Sequence, residues 1–310
     1  MTFDVIGDIH GQADKLRALL GRLGYVERGG AFRHPSRRAI FVGDFIDRGP
    51  RQVDSVMTVR RMVDAGSALA VMGNHEFNAI AWHTPDPELP GETLRPRGGP
   101  WGASNRRQHA AFLAEVEGRP QLHAEIIDWF LTLPLWLELP GLRVVHACWH
   151  TGYIEALRPR LDPSRCMSRD LVVAASREGW MEFVAVEGLT KGLEVELPRG
   201  YEFPDKDGIT RRRVRIRWWD SSASTYRELA LMEDGLRNRL PDMAVAPGLL
   251  GVSGGTDPVF FGHYWLTGRP AVLSPTVACV DYSAGKGGPL VAYRWDGEPV
   301  LDSSKFVCSE

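Results

Sequence analysis

Short apolar runs alternate with helical apolar stripes over roughly the first eighty residues of the chain. Phe3–Gly7, Ala39–Gly43 and Ala68–Met72 are compact apolar runs of the kind that form buried strands. Between the first two, Leu16, Leu19, Leu20 and Leu23 recur at helical spacing. Between the second and third, Val53, Val56, Met57 and Val63 do the same, with Pro50 just ahead, where a helix tolerates proline. A β-α-β-α-β order needs crossover helices, so it predicts parallel strands covered by helices.

A Pro- and Gly-rich stretch from Thr84 to Gly102 reads as a loop. Helical stretches follow around Asn105–Glu117 and Gln121–Leu131, then a strand at Leu142–His146. Residues 151–245 are more charged and less periodic. Apolar strands return at Val259–Gly262, Val277–Asp281 and Leu290–Trp295. No internal repeat or low-complexity tract is present. The pattern predicts an α/β core in two pieces, 1–150 and 246–310, interrupted by an inserted cap at 151–245.

Composition narrows the function classes. The 310 residues are 44% hydrophobic and 25% charged with a net charge of −2, the make-up of a globular protein and not of a general nucleic-acid binder. Cys148, Cys166, Cys279 and Cys308 are widely spaced with no C-x-x-C pair, so neither a zinc knuckle nor a disulfide framework is expected. Met1 leads directly into a strand, and the most apolar stretch, Trp129 to Leu139, is short and broken by Pro134. The expectation is a soluble cytoplasmic protein with no membrane partner.

Candidate chemistry gathers at the ends of the predicted strands. The first runs into Gly7-Asp8-Ile9-His10-Gly11, the second into Gly43-Asp44-Phe45-Ile46-Asp47-Arg48-Gly49, the third into Gly73-Asn74-His75-Glu76. In a parallel sheet, ligands bind at the carboxyl ends of the strands, so Asp8, His10, Asp44, Asn74 and His75 should meet in one place. Carboxylate, imidazole and amide oxygen form a ligand set suited to Mn, Fe or Zn. His146 and His263 stand at later strand ends and are further candidates. Taken singly, an Asp-x-His after a strand is more often a capped turn, and a lone histidine more often a satisfied polar residue. Three such motifs in order, each at a strand–loop–helix junction, defeat that bland reading. A non-catalytic binding protein is the rival class.

GDIHG, GDFIDRG and GNHE, in that order, resemble the signature of the calcineurin-like metallophosphoesterases, in particular their phosphoprotein phosphatase branch. Leu133–Leu139 and the strand into His146-Ala147 are similar to the segment ahead of that family's next conserved histidine. Gly262-His263, followed by Val280-Asp281 and the closing Gly287–Arg294, resembles the end of symmetrical dinucleoside tetraphosphatases and their bacterial relatives. The resemblance implies a β-sandwich of two mixed sheets flanked by helices, and two divalent metal ions, with Mn expected. It would place one ion on Asp8, His10 and Asp44, and the other on Asp44, Asn74, His146 and His263. His75 would donate a proton to the leaving oxygen, oriented by Asp47, and Arg48 would bind phosphoryl oxygens. The implied activity is hydrolysis of phosphomonoesters, including phosphoserine and phosphothreonine in proteins, by a metal-bridging hydroxide. The alternatives are a symmetrical dinucleoside tetraphosphatase and an RNA 5′-end or nucleotide phosphohydrolase. Glu76 favours the phosphoprotein branch, whereas the closing segment favours the alternatives.

The sequence departs from that pattern in two places. Cys148 stands where the family has glycine after His146-Ala147, with His150 a spare imidazole nearby. No second phosphate-binding arginine aligns. Arg211, Arg213, Arg215 and Arg217 alternate and would share one strand face. Arg217, just before Trp218-Trp219, is the candidate clamp. The competing expectation, which we favour, is a hairpin with Leu193–Leu197, in which Glu194 and Glu196 pair across with the arginines and the two tryptophans are packing residues.

Overall fold

Alternation along each central strand sends its side chains into two different interiors. The structure, a computed structural model, describes residues 2–204, 210–246 and 256–310. In chain order its strands and helices begin with β1 (Phe3–Ile6), α1 (Ala13–Leu23), the hairpin β2 (Val26–Arg28) and β3 (Ala31–Arg33), β4 (Arg38–Phe41), α2 (Gln52–Asp64), β5 (Ala68–Ala70) and α3 (Asn74–His83). Next come α4 (Gly99–Val116), α5 (Pro120–Phe130), β6 (Trp136–Leu139), β7 (Leu142–Val145), α6 (Thr151–Leu157), α7 (Arg169–Ala175) and α8 (Met181–Lys191). The remainder is β8 (Glu194–Glu196), β9 (Phe203–Pro204), β10 (Thr210–Arg211), β11 (Arg213–Arg215), α9 (Tyr226–Leu229), α10 (Asp234–Arg237), β12 (Val259–Phe261), β13 (Val277–Cys279), β14 (Val291–Trp295) and β15 (Phe306–Cys308).

Two mixed sheets form the predicted sandwich. One has the order β15-β14-β1-β4-β5, with β1, β4 and β5 parallel and β14 antiparallel to β1. The other has the order β13-β12-β7-β6, with β6 antiparallel. Phe3, Val5, Ile40, Val42, Val71, Val144, Phe260 and Val280 share one buried cluster between the sheets. Ile6, Phe41 and Ala68 belong to a second cluster with Leu16, Leu19, Leu20, Val56 and Val59 of α1 and α2. Burial of these side chains, about 1.5–3 kcal/mol each, holds the strand ends in register.

The early strands stop one or two residues sooner than their apolar runs: β1 ends at Ile6, β4 at Phe41 and β5 at Ala70. The remaining apolar residues lead the loops that carry the motifs. In the opposite sense, α4 starts at Gly99, inside the expected loop, with Pro100 in its first turn. Residues 151–245 are more regular than their composition indicated. Ile154, Leu171, Val172, Val186, Leu189 and Trp218 join the same buried cluster as the helices of the first half. Segments 205–209 and 247–255, within and just beyond the expected cap, lie outside the described residues. Among the described residues no helix is long and apolar enough to cross a membrane.

Candidate metal centre

Asp44 is the hub of a buried cluster built from five strand ends. Its Oδ2 lies 3.4 Å from His146 Nε2, 3.6 Å from His10 Nε2 and 3.9 Å from His75 Nε2. Asn74 Oδ1 is 3.2 Å from His146 Nε2 and 2.9 Å from His263 Nδ1. Asp8 closes the ring, its Oδ2 accepting the His263 backbone N–H at 2.9 Å. The structure therefore brings together all six predicted ligands: Asp8, His10, Asp44, Asn74, His146 and His263. All six are buried.

The loops reach this geometry through conformations that side chains resist. His10, Asp44, Asp47, Arg48 and His263 all have positive φ, between 47° and 76°. Among the described residues only three other non-glycine residues do, and two of those, Trp265 and Ser283, lie in the neighbouring loops. Such strain persists where surrounding structure over-determines it, which is characteristic of functional sites. Gly262 is needed for another reason: a Cβ there would sit 2.0 Å from Asp8 Oδ1. The glycine lets the backbone pass beside the carboxylate.

Three ligand-type atoms, all buried, are left without a hydrogen-bond partner among the described residues: Asp8 Oδ1, His10 Nε2 and His263 Nε2. The other His10 nitrogen, Nδ1, faces the Ile46 carbonyl at 2.9 Å, and His146 Nδ1 faces the Val42 carbonyl at 2.7 Å. A ring that donates Nδ1–H to a carbonyl presents a bare Nε2, as a metal ligand must. Burial, then the nearby His75, holds the His10 imidazole neutral with a pKa of about 3. Burial, then Arg215, keeps His263 well below the ordinary histidine value. Burial together with Asp281 and Asp44 raises Asp8 well above the carboxylate range. Orphaned acceptors, neutral imidazoles and crowded carboxylates are the arrangement that divalent cations satisfy.

Beside this cluster His75 and Asp47 form a dyad, with Nδ1 and Oδ2 2.5 Å apart. Burial lowers the His75 pKa, but the Asp44 and Asp47 carboxylates outweigh it and raise the value above that of free histidine. His75, His10 and Asp44 also form a trio able to hold an ion, and so do Asp44, His146 and His263. His75 Nδ1 is committed to Asp47, which leaves Nε2 for either an ion or a substrate. Arg48 is exposed, and its guanidinium carbon lies 4.4 Å from the centre of the Trp265 ring. The same indole stacks on His10, and Lys286 Nζ lies 4.1 Å from its centre.

Residues 1–182 match the calcineurin-like phosphoesterases. The chain belongs to that family. The match takes in every predicted ligand except His263, which follows β12 and reaches the site from the four-stranded sheet. Among curated relatives, an asymmetrical bis(5′-nucleosyl)-tetraphosphatase of Halalkalibacterium halodurans is 45% identical over 24% of this chain and 31% of its own. A symmetrical bis(5′-nucleosyl)-tetraphosphatase of Aromatoleum aromaticum is 28% identical over 59% of this chain and 55% of its own. The chain thus spans about a third to about half the length of these relatives. A protein serine/threonine phosphatase from Saccharomyces cerevisiae shares the fold, with a TM-score of 0.52 at 14% identity over 99% of this chain and 78% of that one.

Membership implies divalent metal ions, and the donor set fits them. Three further side chains serve the site in ways that sequence patterns did not show. Glu76 accepts three backbone N–H groups, from Asp44 at 2.7 Å, Phe45 at 2.8 Å and Gly73 at 3.0 Å, and so ties the second and third motifs together. Its position three residues after Gly73, where a capping carboxylate sits, was the available signal. Asp281 ties the His263 loop to the next one, accepting from Trp265 N at 2.7 Å and Ser283 N at 3.0 Å. His109, from α4, places Nδ1 2.8 Å from Asp47 Oδ1. No local motif announced it.

Arg217 is not brought to the cluster. Its guanidinium bonds the Glu228 carbonyl and lies 3.8 Å from Asp220, on the rim of a cavity with Ser222, Arg227 and Arg237. The hairpin expectation describes this region better. β8 and β11 pair antiparallel with Arg213 opposite Glu196 and Arg215 opposite Glu194, and Arg215 lies 3.4 Å from Glu194. Arg211 belongs to a separate hairpin, opposite Phe203. Trp218 and Trp219 pack on Phe261, and Trp219 also on Tyr264. His150 caps α6, accepting from Tyr153 N at 3.1 Å, and stacks on the Tyr153 ring.

Proposed function

We propose that this phosphoesterase hydrolyses phosphomonoesters, including phosphoserine and phosphothreonine esters, at a centre of two divalent ions. The observation that carries the reading is the convergence on Asp44 of two trios of ligand-type side chains, completed by His10 with His75 and by His146 with His263, together with the contact of His75 to Asp47. Asp8, His10 and Asp44 would hold one ion, and Asp44, Asn74, His146 and His263 the other. Bound there, the ions would supply an activated water and neutralise charge on the phosphoryl group, and Mn is the ion we expect.

The chain's own groups do the rest. Arg48 lies at the edge of the cluster with no ion pair among the described residues, so its fork is available to phosphoryl oxygens. Trp265 braces Arg48 on the His10 side. His75 protonates the leaving oxygen from Nε2 while Asp47 stabilises the imidazolium and fixes its tautomer. Residues 151–245 act as a cap that selects substrates. The Leu189 carbonyl accepts the Ala147 N–H at 2.9 Å, beside His146.

The names of the relatives favour a second reading, hydrolysis of dinucleoside tetraphosphates. A panel of phosphomonoesters, phosphopeptides, diadenosine tetraphosphate and 5′-triphosphate RNA, assayed with added Mn²⁺, separates the two. The first reading expects higher kcat/KM on the monoesters. Preferential cleavage of the dinucleotide would replace it with the second. In either case His75→Ala should slow kcat by roughly 10²–10⁴-fold on poor leaving groups and by less on nitrophenyl phosphate. An equal loss on both would give His75 a ligand or structural role instead.

A further inference from the structure

Each oxygen of the Asp47 carboxylate is held by a different imidazole. Oδ2 faces His75 Nδ1 at 2.5 Å, and Oδ1 faces His109 Nδ1 at 2.8 Å. An ionised carboxylate only accepts hydrogen bonds, so His109 presents Nδ1–H to it. Burial pushes the Asp47 carboxyl up, yet the hydrogen bonds from His109 and His75 outweigh it and hold the pKa at about 2. The carboxylate is therefore ionised and doubly bound.

His109 itself is 3% exposed, and its Nε2 is buried with no partner among the described residues. Trp82 and Phe112 flank the ring. A half-satisfied imidazole is a poor choice for packing alone, because a buried polar atom without a partner costs about 1–3 kcal/mol and a leucine would cost nothing of the kind. The Asp47 bond is what this residue type provides. The terminal torsion of an aspartate is broad, so one hydrogen bond leaves the carboxylate plane free to turn, and a second removes that freedom. The Asp47 backbone, held at φ 71° with its N–H on Gln52 Oε1 at 2.6 Å, fixes the base of the side chain but not its tip.

We propose that His109 is a positioning residue for the phosphoesterase reaction. It pins Asp47 so that Oδ2 stays on His75 Nδ1, which keeps His75 Nε2 directed at the leaving oxygen. This rests on the reading of His75 as proton donor. A displacement of about 1 Å in such a group costs roughly 10²-fold in rate, so His109 should be worth roughly 10–100-fold in kcat.

The test uses the Mn-loaded full chain and a series of aryl phosphates from nitrophenyl to phenyl. His109→Ala should lose roughly 10–100-fold in kcat on phenyl phosphate and far less on nitrophenyl phosphate, with KM and metal content unchanged. His109→Asn puts an amide N–H where Nδ1–H stood and should recover most of the loss. His109→Gln, whose amide lies nearer the Nε2 position, should not. On an Asp47→Asn background, His109→Ala should add nothing further. Equal losses on good and poor leaving groups would overturn the proposal, as would equal behaviour of the Asn and Gln variants. His75→Ala assayed in the same series keeps the two readings apart. If it shows leaving-group dependence and His109→Ala does not, only the role of His109 falls. If neither does, both fall.

Discussion

The strand-end loops and the segment 151–245 both carry dense charge, and they treat it in opposite ways. At the strand ends the six ligand-type groups are buried, His10, Asp44 and His263 among them sit on left-handed backbone, and Asp8 Oδ1, His10 Nε2 and His263 Nε2 have no hydrogen-bond partner among the described residues. In the later segment four arginines lie nearer solvent and meet carboxylates, Arg215 with Glu194, Arg217 with Asp220, Arg227 with Asp242 and Arg237 with Asp234, although Nε of Arg215, Arg217 and Arg237 is left without a partner among the described residues. Pairs of this second kind contribute at most about 1 kcal/mol each and are screened by salt. The first arrangement leaves buried polar atoms without partners, a cost that a bound cation would relieve. The contrast separates buried, ligand-bearing loops from a segment whose charges meet one another near solvent.

The largest break in that contrast should come from Asp44→Asn. Removing the charge from the hub should lower kcat/KM by roughly 10³-fold or more, on the scale of the several kcal/mol that a metal centre supplies. Steady-state assays on nitrophenyl phosphate with excess Mn²⁺ check this, and near-normal turnover would remove Asp44 from the centre.

A smaller effect follows from acid. The folded Asp47 pKa is depressed to about 2 from its ordinary 3.8, so its contribution is present above pH 4 and lost as pH falls from about 4 to about 2. The stability gap between the wild type and Asp47→Asn, on the order of 2 kcal/mol at neutral pH, should close over that window. Denaturant titrations at stepped pH measure it. A gap that persists unchanged at pH 2 would mean that the imidazole contacts do not set it.

The smallest effect should come from Arg217→Ala. With its guanidinium committed to Glu228 and Asp220, its loss should change kcat/KM by less than tenfold, about 1.4 kcal/mol, on any phosphoester. A hundredfold loss with fold and metals retained would return Arg217 to substrate binding.

How far the sequence could be read tracks the same division. Asp8, Asp44 and Asn74 were legible because a short apolar run, a glycine and a polar residue make a local pattern that a parallel sheet converts into one site. His146 and His263 stood at later strand ends and needed the resemblance to be joined to them, since β7 and β12 lie in the other sheet. His109 was invisible because it reaches Asp47 from the middle of a helix, by packing and not by motif. Glu76 and Asp281 were in view as letters, but their work is to accept backbone N–H groups of other loops, which no spacing encodes. In 151–245, weak periodicity concealed α6, α7 and α8, whose apolar faces are short. The alternation of Arg211 to Arg217 suggested one strand where the structure has a break between two hairpins.

Metal stoichiometry tests the central claim most directly. Metal-free protein titrated with Mn²⁺ and followed by calorimetry and elemental analysis should bind two ions per chain, and Asp44→Asn should fail to hold two under the same conditions. One ion or none in the wild type, or two in Asp44→Asn, would contradict a dinuclear centre organised around Asp44.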